Sequence, residues 1–299
     1  MKHLPQAETK DSGKILQFLA PKLSPYPLSR IGGKRDGSYL VPDDLKGISS
    51  AFSPGVANRK DFEDELWHRF AIPSHMADFS SDPSQFETPL IEGAQTFEKK
   101  WVGAKDDSDT LTLDRWISER DSSPNSDLLL QMDIEGAEYE TLQGVSDFTL
   151  QRFRVVVVEL HKVWTHLSSD SDDDPLSMLV RRLQKFFVVV HAHPNNCCSH
   201  KTLPGMSVRV PEVLELTLFR IDRFPGRVAP TKGVSKIPHP LDISRNSHLD
   251  RPIFLGNGWY EKPRSIHSKW KIFVDYAIYF LWPTVILGRI RIALNRNTK

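Results

Sequence analysis

The run Leu128-Leu129-Leu130-Gln131-Met132-Asp133-Ile134-Glu135-Gly136-Ala137-Glu138 is apolar until it stops abruptly in three carboxylates around a glycine. An apolar segment this short is a doubly buried strand or a piece of buried helix, and periodicity alone does not separate the two. The segments around it do. Val155–Leu160 opens with four valines, and Phe186–His191 contains Val188 to Val190. Such β-branched side chains pack well on a pleated sheet. Ile48–Phe52 and Val213–Phe219 are of the same kind.

Stretches with helical spacing lie between these runs. Phe62, Leu66 and Phe70 recur at four within Asp61–Phe70. Leu113, Trp116 and Ile117 mark Thr112–Arg120, and Leu176, Leu179, Val180 and Leu183 mark Leu176–Phe187. Helices alternating with nearly continuous apolar strands imply a mainly parallel sheet covered on both faces. The expectation is therefore an α/β, doubly wound domain from about Lys46 to Phe219. Ligands in such sheets bind beyond the carboxyl ends of the strands, where the strand order reverses.

The composition sets outer limits. With 39 basic and 38 acidic residues in a chain of 299, the global charge names no nucleic acid or acidic polymer as a partner. Cys197 and Cys198 are the only cysteines, and adjacent cysteines cannot staple distant parts of a chain. A reducing, cytoplasmic setting follows as the expectation, and the opening residues hold no apolar run of signal-peptide length. Ser168 to Asp174 is a short acidic stretch that reads as a solvated loop.

Four places carry candidate chemistry. Ser53-Pro54-Gly55-Val56 turns a strand into a helix through a glycine, which allows backbone to approach a ligand that a Cβ would block. Asp78 follows about twenty residues later at the end of a short second strand, where a carboxylate in nucleotide-binding sheets accepts ribose hydroxyls. Asp133, Glu135 and Glu138 crowd the mouth of the sheet; three neighbouring carboxylates repel unless a cation, a donor or a shared proton compensates. Glu135 and Glu138 also suit the positive end of a following helix. Glu159 and His161 end the next strand on one side, so Asp133, Glu159 and His161 would converge if the two strands are neighbours. His161 would then accept a proton or join a divalent ion, although no metal is expected. His193, Asn195 and Asn196 follow a further strand, and His-x-His beside Cys-Cys lacks the spacing of structural zinc sites.

Taken in order, these pieces resemble the FkbM-type family of class I methyltransferases. The pieces that carry the resemblance are Asp36-Gly37-Ser38-Tyr39-Leu40-Val41-Pro42, Ser53-Pro54-Gly55-Val56, Asp61-Phe62-Glu63, Met76-Ala77-Asp78, Lys100-Trp101-Val102-Gly103, Asp133-Ile134-Glu135-Gly136-Ala137-Glu138, Val158-Glu159-Leu160-His161 and His193-Pro194-Asn195-Asn196-Cys197. The resemblance implies a seven-stranded Rossmann-like sheet, S-adenosylmethionine as methyl donor, and O-methylation of a sugar or small natural-product hydroxyl. It places Gly55 and its neighbours Ser53 and Val56, with Asp78 and Asp133, at the donor; Asp36, Tyr39, His193, Asn195 and Asn196 are the residues expected at the acceptor. Catalysis would fall to Asp133, Glu135, Glu159 and His161. The chain has one glycine in its first loop where many class I enzymes have several.

The expected organisation is an N-terminal helix and covering segment over 1–45, the methyltransferase domain over 46–222, an irregular linker over 223–262 and a C-terminal helix over 263–299. That last segment holds seven basic residues against one acid, and residues 276–288 are uncharged. Thirteen residues are too few to span a bilayer. The tail reads either as a helix packed on protein or as a peripheral membrane contact through residues 270–291. Two rival functions remain. A non-catalytic ligand-binding protein of the same fold, tethered by its tail, would fit the sparse glycine loop; a nicotinamide-dependent oxidoreductase would need the Gly-x-Gly-x-x-Gly turn that the chain lacks.

Overall fold

The structure is a computed structural model that describes residues 12–169, 171–202, 209–230, 237–242, 253 and 255. The chain divides into two compact units, residues 1–260 and 261–299. The second unit, and with it the expected C-terminal helix, lies outside the described residues.

A seven-stranded sheet organises the first unit. Its strands are β1 (Ile48–Pro54), β2 (Ser74–Ala77), β3 (Gln95–Glu98), β4 (Asp127–Met132), β5 (Phe153–Leu160), β6 (Phe187–Pro194) and β7 (Leu214–Arg220), in the order β6-β7-β5-β4-β1-β2-β3. The strands from β3 across to β5 are parallel. β7 enters between β5 and β6 and runs antiparallel to both. The order reverses between β1 and β4, which makes their carboxyl ends the place for a ligand.

Both faces of the sheet are buried, which explains the unbroken apolar strands. Phe52, Leu128, Leu130, Val156 and Val158 join one core cluster, while Ala51, Leu129, Val155 and Val157 join the other. Alternate residues thus serve opposite layers. Trp116 of α3 (Leu113–Arg120) is fully buried and meets Phe52 edge to face at 5.1 Å, which ties that helix to the central strand.

The other described α-helices are α1 (Ser12–Leu19), α2 (Asp61–Phe70), α4 (Glu138–Gly144), α5 (Asp147–Arg152), α6 (Val163–Leu167) and α7 (Pro175–Leu183). The helix expected over Leu176–Phe187 therefore ends at Leu183, because Phe187 already opens β6 and the apolar spacing runs on from helix into strand. Thr112 caps α3 from outside, its side chain accepting from the Arg115 amide.

A hairpin of Leu28–Ile31 and Tyr39–Pro42 precedes β1. The Gly32 and Gly33 amides donate to Glu65 Oε2 on α2 at 2.8 and 3.2 Å, and Thr217 Oγ1 on β7 donates to the Leu40 carbonyl at 2.6 Å. Those bonds bring the hairpin tip to the switch point.

Candidate active site

A cavity of about 530 Å³ opens at the carboxyl ends of β1 and β4. Gly55, Val56 and Ala57 from the first loop line it with Asp133, Gln131, Phe62, Glu63, and Asp36 and Tyr39 from the hairpin. Its size falls within the usual range of small-molecule sites.

Gly55 is required by two independent constraints. Its φ is +78°, and a Cβ there would lie 1.6 Å from the Asp133 carbonyl oxygen. The two strand ends are also joined directly, by the Asp133 amide donating to the Pro54 carbonyl at 3.1 Å. A side chain at position 55 would therefore push β1 and β4 apart at the point where the cavity begins.

Asp78 governs the shape of the same loop. Its Oδ2 accepts from the Val56 and Ala57 amides at 3.1 and 3.0 Å and from Ser81 Oγ at 2.7 Å. Its Oδ1 accepts from Ser80 N and Oγ and from Ser81 N. Burial opposes ionisation, but these bonds outweigh it and hold the carboxyl below its ordinary value. In this structure Asp78 thus fastens the first loop to the second.

The acidic run after β4 is divided among different tasks. Glu138, fully buried at the start of α4, accepts from the Ile134 and Gly136 amides and faces His161 Nδ1 at 2.9 Å. Glu135 has φ +56°, the left-handed region that non-glycine residues rarely adopt, and its side chain is 87 % exposed. His161 Nε2 lies 3.4 Å from Glu135 and 3.9 Å from Asp133. The convergence of Asp133 with His161 follows from the parallel pairing of β4 with β5.

The electrostatics of this group favour one shared proton. Burial raises Asp133 to about 7; the His161 charge pulls against it, and Glu135, Glu138 and Asp36 add to it. For His161 burial favours the neutral ring, but the hydrogen bond and charge of Glu138, followed by Asp133 and Glu135, raise it above its ordinary value. Asp133, Glu135 and His161 also place one potential ligand atom each within 4.8 Å of one another, a spacing that would suit a divalent ion. Glu135 is largely exposed, and a proton can equally balance the buried Asp133–His161 pair.

Glu159 does not complete this trio. It accepts from Asn195 Nδ2 at 3.0 Å and stands opposite Glu215 in the β5–β7 register. Burial, then Glu215, Asp133 and Asp36, push its carboxyl well above the ordinary range. His193, Asn195 and Asn196 are buried at the end of β6 and do not line the cavity. His193 instead lies 3.7 Å from Asp242, whose other oxygen faces His191 Nε2 at 2.8 Å. Ser53 is buried on β1 directly before the cavity.

Three participants escape sequence reading. Glu63 lines the cavity with only 2 % of its surface exposed. A signal existed, since Glu63, Leu66 and Phe70 share one face of α2 and a charge on an apolar face is unusual. Glu215 and Asp242 gave no comparable signal, because their roles arise from strand register and from a distant segment.

A mainly parallel sheet with an antiparallel β7, and a glycine-gated cavity at its switch point, fits the Rossmann-like fold of a methyltransferase. Residues 68–186 match the family model of the methyltransferase FkbM domain, which supports an FkbM-type methyltransferase. The match runs from α2 to the end of α7 and includes Asp78, the Asp133–Glu138 run and His161; β1, Gly55 and Glu63 precede it. No curated protein matches the chain. Among the described residues no helix is long and apolar enough to cross a membrane.

Proposed function

We propose that the protein is an S-adenosylmethionine-dependent O-methyltransferase for a sugar or a small natural-product-like hydroxyl. The observation that carries the reading is the cradle at Gly55, where bare backbone lies against Asp133 and opens into the cavity. A family of methyltransferases implies this type of donor, and the residues present fit it: Gly55 and Val56 would approach it through backbone, while Asp78 holds their loop in place. When bound, the donor supplies a methyl group on a cationic sulfur.

The chain's own residues supply alignment and proton transfer. Asp133 borders the cavity as a carboxyl balanced near neutrality, and His161 stands beside it with its ring oriented by Glu138. The pair would take the proton of an acceptor hydroxyl as that oxygen attacks, which suits an alcohol too weakly acidic to ionise on its own. Asp36 at the hairpin tip and Tyr39, whose hydroxyl accepts from Gln131 Nε2 on β4 at 3.3 Å, line the same cavity and would hold an acceptor.

The test is calorimetric titration with S-adenosylmethionine and S-adenosylhomocysteine, followed by transfer of a labelled methyl group to a panel of hydroxylated acceptors. Micromolar donor binding and labelled O-methyl products are expected. Absence of heat with both ligands would overturn the donor, and products methylated only on nitrogen would overturn the acceptor class.

A further inference from the structure

Exposed side chains form the rim of the cavity, and most of their charge is positive. Lys34 and Arg35 of the hairpin tip and Arg59 of the first loop stand there with Asp36 and Asp61. Both acids are otherwise engaged. Asp61 lies in the first turn of α2, where the positive helix end favours it, and Asp36 helps to raise the carboxyls of Asp133 and Glu159. The rim cations are not drawn inward, since the chief positive groups acting on Asp133 and Glu63 are His161 and Lys60. Among the described residues Lys34 and Arg59 form no ion pair. Arg35 meets only Glu87, at 3.1 Å, and both of those side chains are largely exposed. An exposed pair of that kind contributes little and yields to a competing anion.

The tip is shaped to present Lys34 and Arg35. Gly33 and Gly37 bracket the pair with φ of +81° and +82°, and nothing lies within 4 Å of where a Cβ would stand at either. The turn is therefore made by glycine backbone and not by packing. Below it the hairpin is secured by the Gly32 and Gly33 amides on Glu65 and by Arg30 Nη1 on Ser38 Oγ at 2.8 Å. Two neighbouring cations on a secured turn, unburied beside a cavity, repel each other until an anion arrives.

We infer that the hairpin tip binds an anionic group, phosphate or carboxylate, carried by the acceptor that is methylated. Lys34 and Arg35 are its partners, and Arg59 adds to the positive field at the rim. The inference rests on the acceptor reading above, in which Asp36 and Tyr39 hold the same molecule, and it narrows that acceptor to an acidic sugar or a similar hydroxylated anion. A neutral sugar gains nothing from adjacent cations. The donor is positive at sulfur, so a cationic rim does not attract it. An acceptor with one anionic end is both drawn in and oriented, its charge at the rim and its hydroxyls toward Asp133 and His161.

The experiment titrates the full chain, saturated with S-adenosylhomocysteine, with glucose 6-phosphate, glucuronate, glucose and inorganic phosphate. The better of the two anionic sugars is expected to bind about tenfold or more tightly than glucose, the scale of charge-assisted hydrogen bonds, and which one leads separates phosphate from carboxylate. Inorganic phosphate should bind as the bare anion and weaken as salt is raised. The double variant Lys34→Ala/Arg35→Ala should lose about fivefold or more of the anion affinity. Its affinity for S-adenosylhomocysteine should match wild type, which also reports that it is folded. Arg181→Ala/Lys185→Ala, in a second basic groove beside α7, should bind anions as wild type does. Equal affinity for glucose and its anions, no binding of any anion, or anion binding indifferent to the tip variant would overturn the inference. So would a tip variant that loses S-adenosylhomocysteine instead, because the tip would then serve the donor. A wild type that does not bind S-adenosylhomocysteine removes the donor reading, and phosphate titration of the ligand-free chain and its tip variant then decides the anion site by itself.

Discussion

At the scale of single residues, the chemistry concentrates in Asp133 and His161. Both take their character from surroundings rather than type. Asp133 is lifted to about 7 by burial and neighbouring carboxylates, and His161 is raised by Glu138 and its neighbours. The two titrate as a pair. Protonation of the pair removes the base, so kcat/KM is expected to climb as pH rises through about 7. His161→Gln and Asp133→Asn should each lower kcat by about 10² to 10⁴-fold, the usual contribution of a positioned acid or base. Donor affinity in His161→Gln should stay within a few-fold of wild type. A His161→Gln enzyme with normal kcat and an unchanged pH profile would exclude this histidine from proton transfer. Glu138→Gln acts through the ring orientation, and is expected to lower kcat less than loss of the ring itself while displacing the pH profile.

At the scale of elements, the joint between β1 and β4 is the part that tolerates least. Gly55→Ala forces a Cβ onto the Asp133 carbonyl and holds φ at a value that alanine disfavours. Strain of this kind costs about 1–3 kcal/mol, and any separation of the strands adds to it. Lower thermal stability and lost donor binding are the expected results; a variant that binds donor as well as wild type would mean that the cradle has no part in the site. This joint was readable in the sequence only in outline. The valine runs and the helix over Asp61–Phe70 identify the central strands and α2, because long apolar periodicity is decided locally. β3 was not readable, since Gln95–Glu98 is a short edge strand with a largely polar composition. The hairpin is hidden for a related reason: Leu28–Ile31 and Tyr39–Pro42 take their place from bonds to Glu65 and Thr217, far away in the chain. The site divides along the same line. Gly55, Asp133 and His161 stand at strand ends and announce themselves, whereas the tasks of Glu63, Glu215 and Asp242 depend on which element lies across from them.

At the scale of the whole molecule, opposed groups of acids set the pH range in which the fold is most stable. Burial works against ionisation of Asp78, Asp121, Asp127 and Asp242, but hydrogen bonds and cations prevail and lower all four. Asp127 bonds Arg154 and Arg220, and Asp242 faces His191. An acid lowered on folding binds protons more readily when unfolded, so its stabilisation is present above its ordinary value and is lost as pH falls through the folded one. Glu63 has the opposite sign. Burial raises it from 4.5 to about 7, with the Ser53 hydroxyl, its own amide and Lys60 pulling down and Asp64 pushing up. Its contribution is complete below about 4.5 and is lost as pH rises through about 7. Thermal melts without ligand should therefore peak between about pH 5 and 6 and decline on both sides. Glu63→Gln keeps the shape of the side chain but cannot ionise, so it should gain on wild type as pH rises from 5 to 8. The shift from 4.5 to about 7 sets that gain at no more than about 3 kcal/mol. The acidic limb, which belongs to the paired aspartates, should be unaffected. A difference between variant and wild type that stays constant across this range would mean that Glu63 is already ionised in the empty cavity, held by a charge from elsewhere in the chain.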